Sequence, residues 1–151
     1  MIVVRVYGIL INEFNQILVS DELIQGAKIT KFCGGGLEQG EGTIDCLKRE
    51  FIEEMNLKID VQEHFYTTDF YQVSAFSEEH QIISIYYFVK ALEQFKVSIK
   101  KTPFDFDESQ KAKILLDNYA QSFRFIDSLD FNENCMTLPI DKVVANMIVK
   151  I

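Results

Sequence analysis

Three glutamates, Glu50, Glu53 and Glu54, stand three and four residues apart within a run of residues that favours a helix. At this spacing their side chains share one edge of an α-helix. Carboxylates that crowd together repel one another, so each prefers to take up a proton unless a cation joins them. Mg²⁺ or Mn²⁺ is the natural cation for a site built from oxygen ligands alone. The spacing therefore predicts a divalent-metal site suited to phosphate chemistry.

A run of three glycines, Gly34 to Gly36, precedes the acidic residues. Glycine lets the backbone approach neighbouring groups closely, so a backbone carbonyl in this run is a candidate for one more metal ligand. Arg49 stands four residues before Glu53 and is placed to orient its carboxylate. Acids on a helix are usually a solvated face, and glycines are usually a turn. Both together, at a fixed spacing, favour a functional site.

The acidic residues must be positioned by a helix that the sequence predicts over residues 43–55. Either Gly42 or Thr43 is suited to cap its start, and Asp45 in the first turn suits the helix dipole. Asn56 follows the last helical residue and readily adopts the left-handed conformation that ends many helices. Apolar residues at helical spacing predict a buried face, which consists of Ile44, Leu47, Phe51 and Met55.

The rest of the chain alternates between apolar segments and polar connections. Alternating and β-branched patterns predict strands at 2–11, 16–20, 57–71 (one or two strands), 81–92, 95–99 and 122–126. The predicted connections are a turn at 12–15, a loop at 21–30, a polar link at 72–80 and a turn-rich link at 131–136. A short helix is predicted from Glu108, and a closing helix from Pro139 is predicted to bury Ile140, Val143, Val144, Met147, Ile148 and Ile151. Helices that interrupt a mostly β chain predict an α/β sandwich around a mixed β-sheet.

Composition limits the class of protein. The 151 residues fit one domain, predicted over residues 1–151, and 48% of them are hydrophobic. The net charge of −8 argues against a protein that binds nucleic acid, and therefore against an RNA-processing hydrolase. Three cysteines without CxxC spacing indicate reduced thiols in the cytoplasm. Arg5 interrupts the apolar start, so we expect no signal peptide, and no segment is long enough to span a membrane.

The central stretch resembles the Nudix box. That motif runs Gly, five residues, Glu, seven residues, Arg-Glu, an apolar residue, any residue, Glu-Glu, any residue, Gly and an apolar residue. The positions in register here are Gly35, Glu41, Arg49, Glu50, Phe51, Glu53, Glu54 and Leu57. The one departure is Asn56 in place of the family's second glycine, and Asn tolerates the left-handed conformation that Gly would supply.

The resemblance implies both a fold and a reaction. The fold is the Nudix α/β/α sandwich, and the reaction is metal-dependent hydrolysis of the diphosphate linkage in a nucleoside diphosphate joined to another group. Carried over by position, Glu50, Glu53 and Glu54 bind Mg²⁺ or Mn²⁺ and take part in catalysis, and the carbonyl of Gly35 or of a neighbouring glycine adds a ligand. Arg49 then orients the glutamates, and Glu41 ties the glycine loop to the helix. Metal ions in such a site polarise the diphosphate and activate a water.

The resemblance leaves the general base open. Glu53 or Glu54 is one choice, and an acid from a mobile loop is the other. The loop candidates are Glu78, Glu79, Asp107 and Glu108.

Substrate identity also stays open, among nucleotides, nucleotide sugars and ADP-ribose-type compounds. The pocket is expected near the first strands, the 21–30 loop and the segments after Tyr66 and Phe125. Tyr71, Tyr119 and Phe125 are candidates for stacking on a base, although aromatic residues more often belong to a core or rim. A regulator that binds a nucleotide without cleaving it is the alternative function, but the complete set of box glutamates favours the enzyme. A homodimer is expected by family analogy.

Overall fold

The computed structural model describes residues 1–151 and contains eight β-strands and three α-helices. The elements follow one another as β1 (Ile2–Leu10), β2 (Gln16–Ile24), β3 (Ala27–Lys31), β4 (Cys33–Gly36), α1 (Thr43–Met55), β5 (Ile59–Thr67), β6 (Gln81–Ala91), β7 (Ile99–Lys100), α2 (Glu108–Asp117), β8 (Tyr119–Asp127) and α3 (Pro139–Val149), with a 3₁₀ turn at Glu133–Cys135. The strands form two four-stranded mixed sheets, which confirms the predicted mixed α/β class. The chain divides into two compact units, the first made of residues 1–11 and 33–96 and the second of residues 12–32 and 97–151.

The sheet of the first unit has the strand order β4-β1-β6-β5. Strand β1 lies inside it, antiparallel to β4 and parallel to β6. Helix α1 packs on the face of β1 that carries Gly8, where a Cβ atom would lie 2.9 Å from the ring of Phe51. Because side chains alternate along a strand, Arg5, Tyr7 and Ile9 lie on the opposite face. The sheet therefore has one face that positions α1 and one that does not.

Helix α1 begins and ends where the sequence predicts. Gly42 is its N-cap, and Asn56 ends it in the left-handed conformation, with φ of 51° and ψ of 43°. The prediction that Ile44 is buried is wrong, since its side chain is 44% exposed. In the first turn Cys46 takes the buried position instead, and the side chains that α1 buries are those of Cys46, Leu47, Phe51 and Met55.

The sheet of the second unit has the order β3-β2-β8-β7 and corrects the predicted loop at 21–30. Strand β2 continues to Ile24 and turns at Gln25–Gly26 into the antiparallel strand β3. Adjacent acids in a short segment favour a loop, but here both acids are paired. Asp21 lies 2.6 Å from the guanidinium of Arg124, and Glu22 lies 3.2 Å from the ammonium of Lys31. These ion pairs allow charged residues to be buried inside a strand.

The remaining predictions differ mainly at element boundaries. The strand predicted at 95–99 is wrong except at Ile99: the observed strand is Ile99–Lys100, because only these two residues pair with β8. Helices α2 and α3 begin at the predicted residues, Glu108 and Pro139. On α3, the predicted burial of Val143 and Ile151 is wrong: both are exposed, while the buried residues are Ile140, Asp141, Val144, Ala145 and Ile148. None of the helices has the length and hydropathy needed to cross a bilayer.

Candidate active site

Arg49, on the second turn of α1, is the centre of the acidic cluster. Its Nη1 lies 3.1 Å from Oε1 of Glu50 and 3.1 Å from Oε2 of Glu53. Its Nη2 donates to Oε1 of Glu41 at 2.7 Å and to the carbonyl of Gly36 at 3.0 Å, and its Nε donates to Oε2 of Glu41 at 3.0 Å. One guanidinium therefore ties the glycine strand and the following loop to the helix. It also offsets the repulsion between the carboxylates.

The carboxyl of Glu41 has a strongly lowered pKa. Its hydrogen bonds from Arg49 lower the pKa of its carboxyl from 4.5 to about 2, and the backbone N–H of Glu38 adds to this by donating to Oε1 at 2.9 Å. In turn, Glu41 raises the pKa of Arg49 well above its usual value. The pair is therefore fully ionised at neutral pH. The ion pair that joins the loop to α1 persists over a wide pH range.

Gly35 lies directly against Glu50. A Cβ atom on residue 35 would lie 2.5 Å from both carboxylate oxygens of Glu50, a distance that real Cβ atoms do not reach. Gly34 is similarly confined, because a Cβ there would overlap the carbonyl oxygen of Val6 on the neighbouring strand. The glycine run therefore permits two close approaches, to β1 on one side and to the acidic edge of α1 on the other.

The acidic edge is held in place by contacts at both ends of α1. At the start, the hydroxyls of Thr43 and Tyr87 form a hydrogen bond of 2.7 Å. At the end, the backbone N–H of Asn56 donates to the carbonyl of Ile52. The side chain of Glu50 is 14% exposed and that of Glu53 is 57% exposed. Glu50 is therefore a shielded carboxylate, and Glu53 is a solvated one.

The family model for the NUDIX domain matches residues 1–121. The chain belongs to the Nudix family. This confirms the predicted resemblance, because the match covers the whole of the Nudix box and most of the chain. No curated protein matches the chain.

Solved structures share the fold of this Nudix protein at low sequence identity. The solution structure of the ORF135 protein from E. coli is 15% identical, with a TM-score of 0.67, over 99% of this chain and 89% of its own. The MutT protein from Methanosarcina mazei Go1 is 14% identical, with a TM-score of 0.65, over 99% and 93%. A UDP-X diphosphatase is 15% identical, with a TM-score of 0.61, over 99% and 60%. At these identities the likeness shows the common fold.

The residues of the Nudix box fit a hard divalent cation in type. Glu50, Glu53 and Glu54 supply carboxylate oxygens from one helix edge, and the backbone of Gly35 lies against the first of them. Mg²⁺ and Mn²⁺ prefer such oxygen ligands. As the side chains stand, Arg49 holds Glu50 and Glu53, and no three acidic, imidazole or thiol groups are gathered as a set of ligands.

The four acids considered as general bases lie in different settings, and Glu108 is the first residue of helix α2 rather than part of a loop. Glu78 and Glu79 are exposed in the 72–80 connection of the first unit. Asp107 caps α2, since its carboxylate accepts from the backbone N–H of Gln110 at 2.9 Å, and this bond lowers its pKa. Glu108 is exposed and lies 3.6 Å from the ammonium of Lys111. Each assignment stays a prediction, and the cap gives Asp107 a structural role of its own.

The aromatic candidates are likewise distributed over the two units. Tyr71 is exposed in the first unit. In the second unit, Tyr119 donates through its hydroxyl to Oε1 of Glu22 at 2.9 Å, and Phe125 is half-buried on β8. Sequence reasoning missed Tyr87 as the residue that fixes the start of α1. Its only signal was a tyrosine hydroxyl within the mostly apolar strand β6.

Proposed function

We propose that this Nudix protein is a pyrophosphohydrolase that cleaves the diphosphate linkage of a nucleoside diphosphate joined to another group, in the presence of Mg²⁺ or Mn²⁺. The observation that carries the proposal is the arrangement around Arg49, which joins Glu41, Glu50, Glu53 and the glycine strand in one hydrogen-bonded cluster. A protein that had lost catalysis would have no need of an intact acidic edge.

In this proposal the box residues divide the work. Glu50, Glu53 and Glu54 hold the cation, with the Gly35 carbonyl as a further ligand. A divalent ion bound there would supply Lewis-acid polarisation of the diphosphate and activation of water. Arg49 orients Glu50 and Glu53, and Glu41 holds Arg49. The proton of the attacking water goes to Glu53 or Glu54, or to one of the acids outside the box, Glu78, Glu79, Asp107 and Glu108.

The proposed substrate is a small nucleotide derivative: a nucleotide, a nucleotide sugar or an ADP-ribose-type compound. Support comes from the family and from the net charge of −8, which disfavours nucleic acid as a partner. The fold is also found in a UDP-X diphosphatase. We further propose that residues 1–151 act as a single functional domain in the cytoplasm, without a membrane partner, and that the chain forms a homodimer by analogy with the family.

The test is a panel of nucleoside triphosphates, oxidised nucleotides, ADP-ribose, nucleotide sugars and dinucleoside polyphosphates with Mg²⁺ and Mn²⁺. We expect release of a nucleoside monophosphate by the wild-type protein and its loss in Glu53→Gln. Because the side chain of Glu53 is more than half exposed, this variant should fold normally. Glu63→Gln, at an exposed position on β5, is the matched control and should keep full activity.

A nucleotide-binding regulator with a Nudix fold is the competing function. It predicts tight binding of one member of the panel with no turnover of any. That outcome in the wild-type protein would replace the enzyme proposal. Turnover that is unchanged in Glu53→Gln would also count against the proposed site.

A further inference from the structure

Arg5 is the only charged residue of β1, and it lies beside the Nudix-box glycines. In the antiparallel register of β1 and β4 it stands opposite Gly36. Its Nη1 lies 3.9 Å from the position that a Cβ of Gly36 would occupy, and no other atom outside the adjacent residues lies within 4 Å of that position. The guanidinium is therefore next to bare backbone, with open space above the glycine.

The position of Arg5 is fixed by the aromatic residues of the same sheet face. Its Nε donates to the hydroxyl of Tyr7 at 2.6 Å, and its Cζ lies 5.8 Å from the centre of the Tyr7 ring. Tyr7 is 3% exposed and stacks on the fully buried Tyr86 at 5.3 Å between ring centres. A half-buried guanidinium on such a support is already ordered before a ligand arrives, so less entropy is lost on binding.

Strand β4 separates this cation from the acidic edge. Gly35 faces Glu50, and because side-chain directions alternate along a strand, Gly36 and Arg5 lie on the other face. Strand β4 is an edge strand, and its last three residues are glycines. No side chain of these three residues therefore projects from either face of the sheet. Negative charge lies on one side of a bare strand, and positive charge lies on the other.

We propose that Arg5 binds a phosphate group of the substrate at the bare edge of β4. The planar guanidinium matches two phosphate oxygens, and it supplies a positive charge that the carboxylates of α1 do not. The inference rests on the proposed function, because the ligand is the diphosphate of that reaction. Arg5 is assigned to binding, while bond cleavage is left to the acidic edge.

The test measures the Kd of inorganic pyrophosphate by calorimetry at low salt, first in buffer without divalent cations and then with Mg²⁺. We expect the wild-type protein to bind and Arg5→Met to bind at least about tenfold more weakly under both conditions. Lys90→Gln, which removes an exposed charge from β6 of the same sheet, should bind like the wild type. Absence of binding by the wild type, equal binding by Arg5→Met, or equal weakening by Lys90→Gln would each overturn the inference.

Thermal unfolding shows whether Arg5→Met folds. If it does not, Arg5→Lys is measured instead. Lysine keeps the positive charge but lacks the planar guanidinium that binds two oxygens, and we expect pyrophosphate to bind about three- to tenfold more weakly. Unchanged binding by Arg5→Lys in that case would overturn the inference. Pyrophosphate binding that depends on Arg5, without hydrolysis of any nucleotide, would reject the proposed function alone. Hydrolysis with a KM that does not change in Arg5→Met would reject the role of Arg5 alone.

Discussion

Two hydrogen bonds join Arg49 to Glu41, one of 2.7 Å between Nη2 and Oε1 and one of 3.0 Å between Nε and Oε2. Glu41 lies in the loop before α1, and Arg49 lies within the helix. The paired contacts use the planar geometry of both groups, which fixes orientation as well as distance. Glu41 therefore decides where Arg49 points, and Arg49 in turn contacts Glu50 and Glu53.

Glu41→Gln should lower the melting temperature at neutral pH and leave it unchanged in strong acid. The folded-state pKa of Glu41 is depressed from 4.5 to about 2 by Arg49, so the charged pair stabilises the fold above about pH 4.5. This contribution is lost as the pH falls through about 2, where the wild-type carboxyl also becomes neutral. Melting temperatures at pH 7, 5, 3 and 2 measure the effect. Glu63→Gln is the control, and a Glu41→Gln difference that is constant with pH would contradict the argument.

Gly35→Ala should reduce hydrolysis by roughly 10- to 100-fold, because the new methyl group must displace the carboxylate of Glu50. Steady-state kinetics with Mg²⁺ on the best substrate of the panel measures the loss. Gly42→Ala is the matched control, since no atom lies within 4 Å of the added Cβ at that position. Equal activity of the two variants would show that Glu50 moves away without consequence.

Asn56→Gly should keep full activity and raise the free energy of unfolding by a few tenths to about 1 kcal/mol. Asn56 has a positive φ of 51°, which costs an L-residue energy that glycine does not pay. Asn56→Ala should be destabilised by about 1 kcal/mol for the same reason. Urea unfolding measures both changes. Asn118 ends α2 in the same left-handed conformation, outside the Nudix box, so the change in unfolding free energy in Asn118→Gly serves as the comparison. A large loss of activity in Asn56→Gly would assign Asn56 a role beyond ending the helix.

Asp21→Ala should destabilise the protein by about 3–5 kcal/mol, because it leaves the guanidinium of Arg124 without its buried partner. The double variant Asp21→Ala with Arg124→Met should recover part of this loss, since it removes the unpaired charge as well. Lys111→Gln, which breaks an exposed ion pair of the same unit, should have almost no effect. Urea unfolding of the four proteins, wild type included, forms the test. If Asp21→Ala is at least as stable as the double variant, the unpaired charge of Arg124 is not the cause of the destabilisation.

Sequence patterns predicted the parts of this protein that depend on local order. Helix α1 was predictable because its apolar residues repeat at helical spacing and Asn56 marks its end. The hairpin formed by β2 and β3 was not, because Asp21 and Glu22 become compatible with a strand only through Arg124 and Lys31. Partners that are distant in the chain leave no local signal.

In the candidate site, too, some features were predictable from the local sequence, and others depend on contacts between distant segments. The spacing of the glutamates and Arg49 is a local pattern and was readable as one. The approach of Arg5 to Gly36 depends on the register of two strands, and the bond between Thr43 and Tyr87 depends on how a helix packs on a sheet. The sequence showed Arg5 only as a charge within an apolar run.

The order of the strands has a consequence for biosynthesis. Strand β1 pairs along its whole length with β6, with Ile2 opposite Gln81, and β2 pairs in the same way with β8, with Gln16 opposite Asp127. During synthesis, β1 and β2 therefore leave the ribosome long before β6 and β8, the strands with which they pair. Neither sheet can be completed until late in translation. Until then the apolar β1 lacks its main partner strand and is exposed to chaperones or to self-association.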